Sequence, residues 1–252
     1  MIAIVSDVHA NLEALQAVYH DIVQRGIKRI FFLGDIVGYG PNPAEVLDFI
    51  QHFEFCLLGN HDQAALRGPL KTFNKVAQSA TWWTHDQLNP ENVSAKFLRK
   101  GLYEQKKKHW EFLQNLKPVR NVGDTMFVHD YPAEPGSWKY VRKAEDALRG
   151  FGAHPQMRLF FFGHSHIPGV WTRESFSKPE PGQVYRFDQP LMVNVGSVGQ
   201  PRDKDPRACY VILEPDCLRF YRVPYDVAKT QAKIRATPEL DDVLADRLGT
   251  GT

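Results

Sequence analysis

The sequence predicts an α/β fold built on a parallel β-sheet. Three short apolar runs lie at residues 2–6, 30–33 and 55–58, and the segments between them have helical character. Strand, helix, strand, helix, strand at this spacing is typical of a βαβαβ unit. The chain has 252 residues, of which 43% are hydrophobic and 24% charged. This composition suits a globular protein with a sizeable core.

The first two helices have recognisable boundaries. Apolar residues recur at helical spacing from Leu12 to Ile22, and Gly26 supplies a C-terminal stop. The second helix is predicted to begin at Asn42, because a capping Asn is followed by Pro43 and, three residues after the cap, by Glu45.

The rest of the chain alternates between helical and β character. A polar segment at about 63–118, rich in Lys and Gln, predicts two or three helices that form an insertion or cap. Glu180-Pro-Gly182 predicts a hairpin turn. The segment at about 224–252 is predicted to form a helical tail. We find no linker and expect a single domain over 1–252. The remaining predicted elements are a helix at 140–151 and strands at 119–122, 125–128, 159–162, 170–172, 184–187, 191–193, 209–213 and 218–223.

Charge and cysteine content exclude several classes of partner. The formal net charge is +2, from 31 basic and 29 acidic residues, which gives no support to a nucleic-acid or anionic-membrane surface. The three Cys form no CxxC pair and indicate reduced, mostly buried thiols. No apolar stretch approaches the ~20 residues of a membrane span, and the N-terminus lacks a signal-peptide pattern. We expect a cytoplasmic protein with no membrane partner.

Polar side chains follow five of the predicted strands, at the point where each strand ends. Ligands in open parallel sheets bind outside the carboxyl ends of strands, so these loops are expected to converge on one crevice. Carboxylate, amide and imidazole donors without a thiolate suit Mn²⁺, Fe, Co²⁺ or Zn²⁺ rather than a structural zinc site of the Cys type. The candidate metal ligands are Asp7, His9, Asp35, Asn60, His129, His164 and His166.

Each of these residues also has a simpler interpretation. Asp7 and Asp35 could be helix N-caps, and Asn60 a turn residue. His129 alone could be a buried histidine with satisfied hydrogen bonds. Five coincidences at strand ends are much harder to explain in this way than any one of them. The other five histidines are assigned no function.

The order of motifs D-x-H, GD, GNHD, H and GHxH resembles the calcineurin-like metallophosphoesterase superfamily. The segments Asn194–Asp203 and Gly38–Pro41 are similar to its small prokaryotic phosphodiesterase-like branch. The resemblance implies two packed mixed β-sheets flanked by helices. It also implies two divalent metal ions, with Mn²⁺ expected and Fe, Co²⁺, Ni²⁺ or Zn²⁺ as alternatives.

The resemblance assigns roles to the residues of these motifs. Asp35 would bridge the two ions. Two ions ~3.5–4 Å apart would deprotonate a water that bridges them, and this water would attack phosphorus. His61 would protonate the leaving oxygen as general acid. One ion would be held by Asp7, His9 and His166, the other by Asn60, His129 and His164.

The sequence departs from the pattern of the Ser/Thr protein phosphatases. The second motif lacks the Asp that orients the catalytic His and the Arg that grips phosphate, so protein phosphatase activity is not expected. Asp62 is a candidate to orient His61. Arg202 is a candidate to bind the phosphate, and the alternative is a surface salt bridge with Asp203 or Asp205. Asp130, directly after His129, is expected to crowd or acidify the pocket.

We therefore expect a dinuclear metal-dependent phosphoesterase, a phosphodiesterase rather than a monoesterase, acting on a small phosphorylated substrate of which nucleotides are one type. One alternative is a metal-binding scaffold of the same fold that barely hydrolyses. Another is a nuclease or nucleic-acid-binding protein, at which the basic run Lys100–Lys108 hints, although such a run is usually a solvated helix face.

Overall fold

The computed structural model describes residues 1–92 and 100–252 of the chain, and in these it forms twelve strands and eight helices. The strands are β1 (Ile2–Val5), β2 (Arg29–Phe32), β3 (Phe55–Cys56), β4 (Val119–Val122), β5 (Thr125–Val128), β6 (Leu159–Phe162), β7 (Gly169–Trp171), β8 (Phe176–Ser177), β9 (Val184–Arg186), β10 (Leu191–Asn194), β11 (Ala208–Leu213) and β12 (Cys217–Val223). The helices are α1 (Leu12–Gln24), α2 (Pro43–Ile50), α3 (Asn60–Arg67), α4 (Lys75–Leu88), α5 (Lys100–Asn115), α6 (Ala144–Ala153), α7 (Val227–Arg235) and α8 (Asp242–Thr250).

The strands form two mixed sheets of six strands each. The first sheet has the order β3-β2-β1-β11-β12-β9, and β1, β2 and β3 are parallel as predicted. It becomes mixed because β11 pairs with β1 antiparallel. The second sheet has the order β4-β5-β6-β10-β7-β8, in which β5, β6 and β10 are parallel. The predicted fold class, two packed mixed sheets flanked by helices, is confirmed.

Alternation along the strands explains why the two sheets pack face to face. Successive side chains of a strand point to opposite faces, so Phe31 lies between the sheets while Phe32 faces α1 and α2. In the second sheet Phe161 lies between the sheets and Phe160 packs toward α6. All four rings are buried, as expected for strands covered on both faces.

Two predicted elements differ from the observed ones. Glu180-Pro-Gly182 is a turn but not a hairpin, because β8 before it belongs to the second sheet and β9 after it to the first. Proline and glycine specify that the chain turns, but burial of the flanking side chains decides which sheet each strand joins. The helix predicted from residue 140 begins at Ala144, and residues 140–143 form a loop instead.

Helices also occupy the two segments predicted as an insertion and a tail. α3, α4 and α5 lie within or next to 63–118, where residues 93–99 of the predicted insertion are outside the described part of the chain. In the tail, α7 packs on α1, and α8 shares a hydrophobic cluster with α4. The single-domain organisation stays a prediction. None of the described helices has the length and apolar character needed to cross a membrane.

Candidate metal centre

The predicted ligands converge on one point at the end of both sheets. The first sheet contributes the loops after β1 and β2 and the first turn of α3, and the second contributes the loops after β5 and β6. All seven side chains are buried, none more than 5% exposed. The residues brought together are Asp7, His9, Asp35, Asn60, His129, His164 and His166.

Four of these residues form a first cluster. The Nε2 atoms of His9 and His166 are 3.1 Å apart, and His166 Nε2 lies 3.2 Å from Asp7 Oδ1. His9 Nε2 lies 3.5 Å from Asp35 Oδ2. The donor atoms of Asp7, His9, Asp35 and His166 are all within 4.8 Å of one another, which is close enough to share one ion.

Asp35 also belongs to a second cluster, with His129 and His164, whose donor atoms again lie within 4.8 Å of one another. Its Oδ2 is 3.3 Å from His129 Nε2. Asn60 joins this cluster through Oδ1, which lies 3.2 Å from the same His129 nitrogen. A single carboxylate therefore connects two groups of donors.

The hydrogen bonds of the imidazoles show which nitrogen is free to bind a metal. The Nδ1 atoms of His9, His129 and His166 donate to the carbonyl oxygens of Val37 (3.1 Å), Leu33 (2.9 Å) and Gln200 (2.6 Å). Because a carbonyl only accepts, Nδ1 carries a proton in each ring, and Nε2 carries a lone pair whenever the ring is neutral. Two lone pairs 3.1 Å apart repel each other, and a cation between them removes that repulsion.

Asp7 gives a second indication that a cation belongs here. Its Oδ2 accepts the backbone N–H of His164 at 3.0 Å. Its Oδ1 is fully buried and has no hydrogen-bond partner within residues 1–92 and 100–252. A buried carboxylate oxygen without a donor is costly unless a positive charge compensates it. The residues present therefore fit a pair of divalent ions.

The protonation states of the centre agree with this fit. Burial lowers the pKa of His9 and His166, and lowers that of His164 to about 3, so these imidazoles are neutral at pH 7, the form that binds metals. Burial acts the same way on His129, but the Asp35 carboxylate overrides it and raises the pKa of His129 to about 10. A proton on His129 is one way to balance the charge of Asp35, and a metal cation is the other.

His61 lies beside the clusters and faces the same cavity. Its backbone N–H donates to Asp35 Oδ1 at 2.8 Å. The ring stacks on Phe73, with centroids 4.5 Å apart, and contacts Tyr39 at 4.4 Å. Burial lowers the pKa of His61 to about 4. The ring is thus held by aromatic neighbours, of which Phe73 was not identified from the sequence.

Asp62 contacts backbone rather than the His61 ring. Its two carboxylate oxygens accept four N–H groups, those of Gly59, Asp35, Ile36 and Val37, at 2.9–3.1 Å. Burial and the nearby Asp35 raise the pKa of Asp62 to about 7, against the effect of these donors. Its side chain fixes the loop that carries Asp35.

The ligand residues adopt a backbone conformation that is uncommon for residues with a Cβ. Asp7, His9, Asp35, His164 and His166 all have φ between +49° and +64°. This left-handed region costs energy for side-chain-bearing residues and is concentrated at functional sites. The cost is tolerated because each turn aims its side chain into the centre.

Two glycines in the motifs allow the close approach of the ligand loops. A Cβ on Gly163 would lie 2.2 Å from Asp7 Oδ2, and one on Gly59 would lie 2.1 Å from Asp35 Oδ1. Both distances are far below van der Waals contact. The glycine in each of these two motifs is therefore required by the neighbouring carboxylate.

The clusters open into a cavity of about 360 Å³. The loops around residues 70–74 and 138–142, which the sequence did not single out, form much of its wall. Asp130 supports this wall from behind: its carboxylate accepts the N–H groups of Gly136 and Trp138, so it is engaged with the wall instead of crowding the cavity. The lining residues include Tyr39, His61, Leu70, Thr72, Phe73, Asn74, Trp138, Tyr140, Arg142 and Arg202.

Arg202 lies at the edge of this cavity. Its Nη2 donates to Gln200 Oε1 at 2.6 Å. The two acidic residues considered as surface partners are engaged elsewhere, because Asp203 pairs with Arg222 and Asp205 with Arg207. The guanidinium therefore faces the cavity with a neutral neighbour.

Comparisons with known proteins agree with this geometry. A family model described as the calcineurin-like phosphoesterase superfamily domain matches residues 1–217. An uncharacterized protein of Methanocaldococcus jannaschii is 38% identical over 258 residues, which cover 100% of this chain and 98% of that protein.

Two solved structures share the fold over the whole chain. The crystal structure of a metallophosphoesterase from Sphaerobacter thermophilus is 36% identical with a TM-score of 0.82, covering 100% of this chain and 98% of that one. A hypothetical protein from Pyrococcus horikoshii has a TM-score of 0.76 at 17% identity, covering 100% of this chain and 99% of that one. At that identity the second likeness speaks for the fold alone.

Proposed function

This chain belongs to the calcineurin-like phosphoesterase superfamily, and from that premise we propose that it hydrolyses phosphodiesters with the help of two divalent metal ions. The observation that carries the proposal is the position of Asp35, whose carboxylate is shared by the two donor clusters. A carboxylate with two oxygens can bind two cations at once, which no neutral side chain does as well.

The assignment of ligands follows from the two clusters. Asp7, His9 and His166 hold one ion, and Asn60, His129 and His164 hold the other, with Asp35 between them. Bound divalent ions supply an activated water and neutralise charge on the phosphoryl oxygens. Imidazole, amide and carboxylate donors without a thiolate suit Mn²⁺, Fe, Co²⁺ or Zn²⁺, and of these Mn²⁺ is the proposed ion, as the family resemblance implies.

The side chains around the ions have separate tasks. His61 donates a proton to the leaving oxygen as general acid. Arg202 binds a non-bridging phosphate oxygen, which its place in the cavity lining and its neutral hydrogen-bond partner Gln200 support. Asp62 is a positioning residue that acts through the backbone of the Asp35 loop rather than through His61.

The shape and charge of the cavity favour a diester over a monoester. The motif that grips a dianionic phosphate with a further Arg is missing after Asp35. Aromatic side chains instead line the walls, among them Tyr39, Phe73 and Tyr140. A diester brings one negative charge and two organic substituents, and these walls can accommodate both. The substrate is thus a small phosphodiester, of which nucleotide-like molecules are one type.

Hydrolysis of bis-p-nitrophenyl phosphate with Mn²⁺ and with EDTA tests this proposal, with p-nitrophenyl phosphate as the monoester comparison. We expect Mn²⁺-dependent turnover of the diester and a lower kcat/KM for the monoester. Bound metal without turnover of either ester would instead identify a non-catalytic scaffold.

The Asp35→Asn variant tests the ligand assignment separately from activity. We expect it to lose both ions, or nearly so, because an amide carries no charge with which to bridge two dications. Metal analysis of the purified protein gives the answer, and Asp216→Asn, at an exposed carboxylate, is the matched control. About two equivalents of metal in Asp35→Asn would contradict the bridging role.

The basic run on α5 gives the nuclease alternative little support. Lys107 pairs with Glu111, Lys108 donates to the side chain of Gln51, and Lys106 to a backbone carbonyl. These lysines are therefore engaged within the helical layer.

The free thiols of Cys56, Cys209 and Cys217 fit a reducing compartment, and the cytoplasm remains the proposed location.

A further inference from the structure

A second cavity of about 430 Å³ lies next to the metal centre, and nothing in the proposed mechanism uses it. Ser165 lies between His164 and His166 in sequence, and it lines the second cavity while the two histidines line the first. The loop after β6 is therefore a wall between the two cavities. Its lining residues are Tyr140, Val141, Arg142, Ser165, Ile167, Trp171, Phe176 and Arg202.

The two cavities are joined at one edge. Tyr140, Arg142 and Arg202 line both of them. The Tyr140 ring stacks on the candidate ligand His164, with centroids 4.1 Å apart and planes 13° apart. The Arg142 guanidinium lies over the same Tyr140 ring, 4.3 Å from its centroid. A phosphate at the ions therefore has positive charge beside it at the entrance to the second cavity.

The second cavity itself is apolar and partly open to solvent. Tyr140, Ile167 and Phe176 are 38%, 44% and 53% exposed. They are three of the twelve large hydrophobic residues that are exposed in the described part of the chain, so a quarter of these lie around one cavity. Trp171 forms the floor, with its ring 4.8 Å from that of Phe176. An exposed apolar concavity next to a polar centre is typical of a ligand site.

We propose that this cavity, the aromatic subsite, binds a planar aromatic substituent of the phosphodiester, and specifically the substituent that remains on phosphorus after hydrolysis. The inference rests on the proposed function. His61, the proposed donor to the leaving group, lines only the first cavity, next to Phe73 and Tyr39. The leaving group is thus on the His61 side, and the retained group is on the side of Ile167 and Phe176.

Two diesters with the same leaving group test the subsite. Phenyl p-nitrophenyl phosphate and methyl p-nitrophenyl phosphate both release p-nitrophenolate, and only the retained group differs. We expect kcat/KM to favour the phenyl ester by about tenfold or more, as for one well-placed apolar group in a pocket. Thymidine 5′-(p-nitrophenyl) phosphate shows whether a nucleoside or a directly attached aryl group fits better.

Variants of exposed residues separate the subsite from intrinsic reactivity. Phe176→Ala and Ile167→Ala should reduce the preference for phenyl over methyl by about tenfold, through a fall in kcat/KM for the phenyl ester that is much larger than any change for the methyl ester. Leu148→Ala, which removes an equally exposed apolar side chain on α6, is the matched control and should keep the preference. An unchanged preference in Phe176→Ala and Ile167→Ala would overturn the inference while the proposed function stands.

If neither ester is hydrolysed, the proposed function is contradicted, but a binding measurement still tests the subsite. Calorimetry with the Mn²⁺-loaded protein compares phenylphosphonate with methylphosphonate, neither of which can be cleaved at its P–C bond. Tighter binding of the phenyl compound that is lost in Phe176→Ala supports the subsite. Equal binding of the two compounds overturns the inference. A dimer that Phe176→Ala converts to monomer also overturns it, because a second copy of the chain would then cover the cavity.

Discussion

His61 combines two properties that conflict at the scale of a single residue. Burial lowers the pKa of its imidazole to about 4, so the ring is neutral at pH 7 in the free protein. A general acid must carry a proton when the leaving oxygen develops charge. A substrate anion next to the ring favours the protonated form, since a nearby opposite charge raises the pKa of a histidine. Substrate binding and protonation of His61 are therefore expected to be coupled.

We expect His61→Ala to keep its metals and to lose turnover by ~10²–10⁴-fold for alkyl esters, the usual contribution of a general acid. The loss should be smaller for p-nitrophenyl esters, because p-nitrophenolate leaves without being protonated. Steady-state kinetics with both ester types, together with metal analysis, provide the test. Equal losses for the two leaving groups would exclude the leaving-group role.

Arg202 is the second residue whose role can be measured directly. We expect Arg202→Ala to raise KM by about tenfold or more while metal content stays the same, because a charge-assisted contact to phosphate is lost. Arg202→Lys should restore little, since an ammonium group does not reproduce the guanidinium fork. The control is Arg186→Ala, which removes an exposed arginine paired with Asp216. Unchanged kinetics in Arg202→Ala for every hydrolysed substrate would exclude a contact between Arg202 and the phosphate.

At the scale of elements, α1 and α7 are joined by a buried carboxylate. Glu13 on α1 accepts hydrogen bonds from Lys233 Nζ at 2.6 Å and Thr230 Oγ1 at 3.3 Å, both on α7. Burial opposes ionisation of Glu13, but the hydrogen bond and the charge of Lys233, together with a backbone hydrogen bond and Lys229, outweigh it and lower the pKa below its ordinary value of 4.5. The charged form is therefore the one that holds the tail on the domain.

We expect Glu13→Gln to lower the free energy of unfolding by about 1.5–3 kcal/mol at pH 7, the range for a hydrogen bond to a charged group. Because the folded pKa lies below 4.5, the unfolded chain takes up a proton first as the pH falls. The contribution of Glu13 is thus complete above pH 4.5 and disappears as the pH drops through the lower, folded value. Urea unfolding of both proteins from pH 7 to pH 3 measures this difference, and a constant gap would contradict it.

The sequence predicted the helices and strands better than it predicted which strands pair with each other. The donors at five strand ends were identifiable because an apolar run followed by Asp, Asn or His is a local pattern. The antiparallel pairing of β1 with β11 joins residues about 200 positions apart, and no local pattern specifies it. The same limit explains why the turn at Glu180–Gly182 was predicted as a hairpin.

The wall of the cavity was missed for a related reason. Tyr140 and Arg142 lie in a loop where a helix was predicted, Trp138 lies just before that segment, and Phe73 lies in a polar segment without a motif. These side chains reach the centre only through the way in which the loops are packed. The left-handed backbone of Asp7 and Asp35 could not be predicted either, because glycine is the usual sequence signal for this conformation and neither position is a glycine.

At the scale of the whole molecule, the ions are expected to contribute to stability. The centre gathers buried carboxylates and facing imidazole lone pairs, which are unfavourable without a cation, and five left-handed residues add steric strain that bound ions would help to offset. We expect EDTA to lower the free energy of unfolding by about 3 kcal/mol relative to Mn²⁺ at about 100 times its dissociation constant. Thermal unfolding with and without Mn²⁺ measures the effect, with Asp35→Asn as the variant that should not respond.

The ligands come from loops of both sheets, and this has a consequence for how the protein unfolds. An ion held by both Asp7 and His166 would act as a reversible cross-link that closes a loop of about 160 residues. Such a link can form only after the two sheets have met, which places it late on the folding pathway. Added Mn²⁺ should therefore slow unfolding strongly and leave the refolding rate nearly unchanged, as for any interaction absent from the transition state.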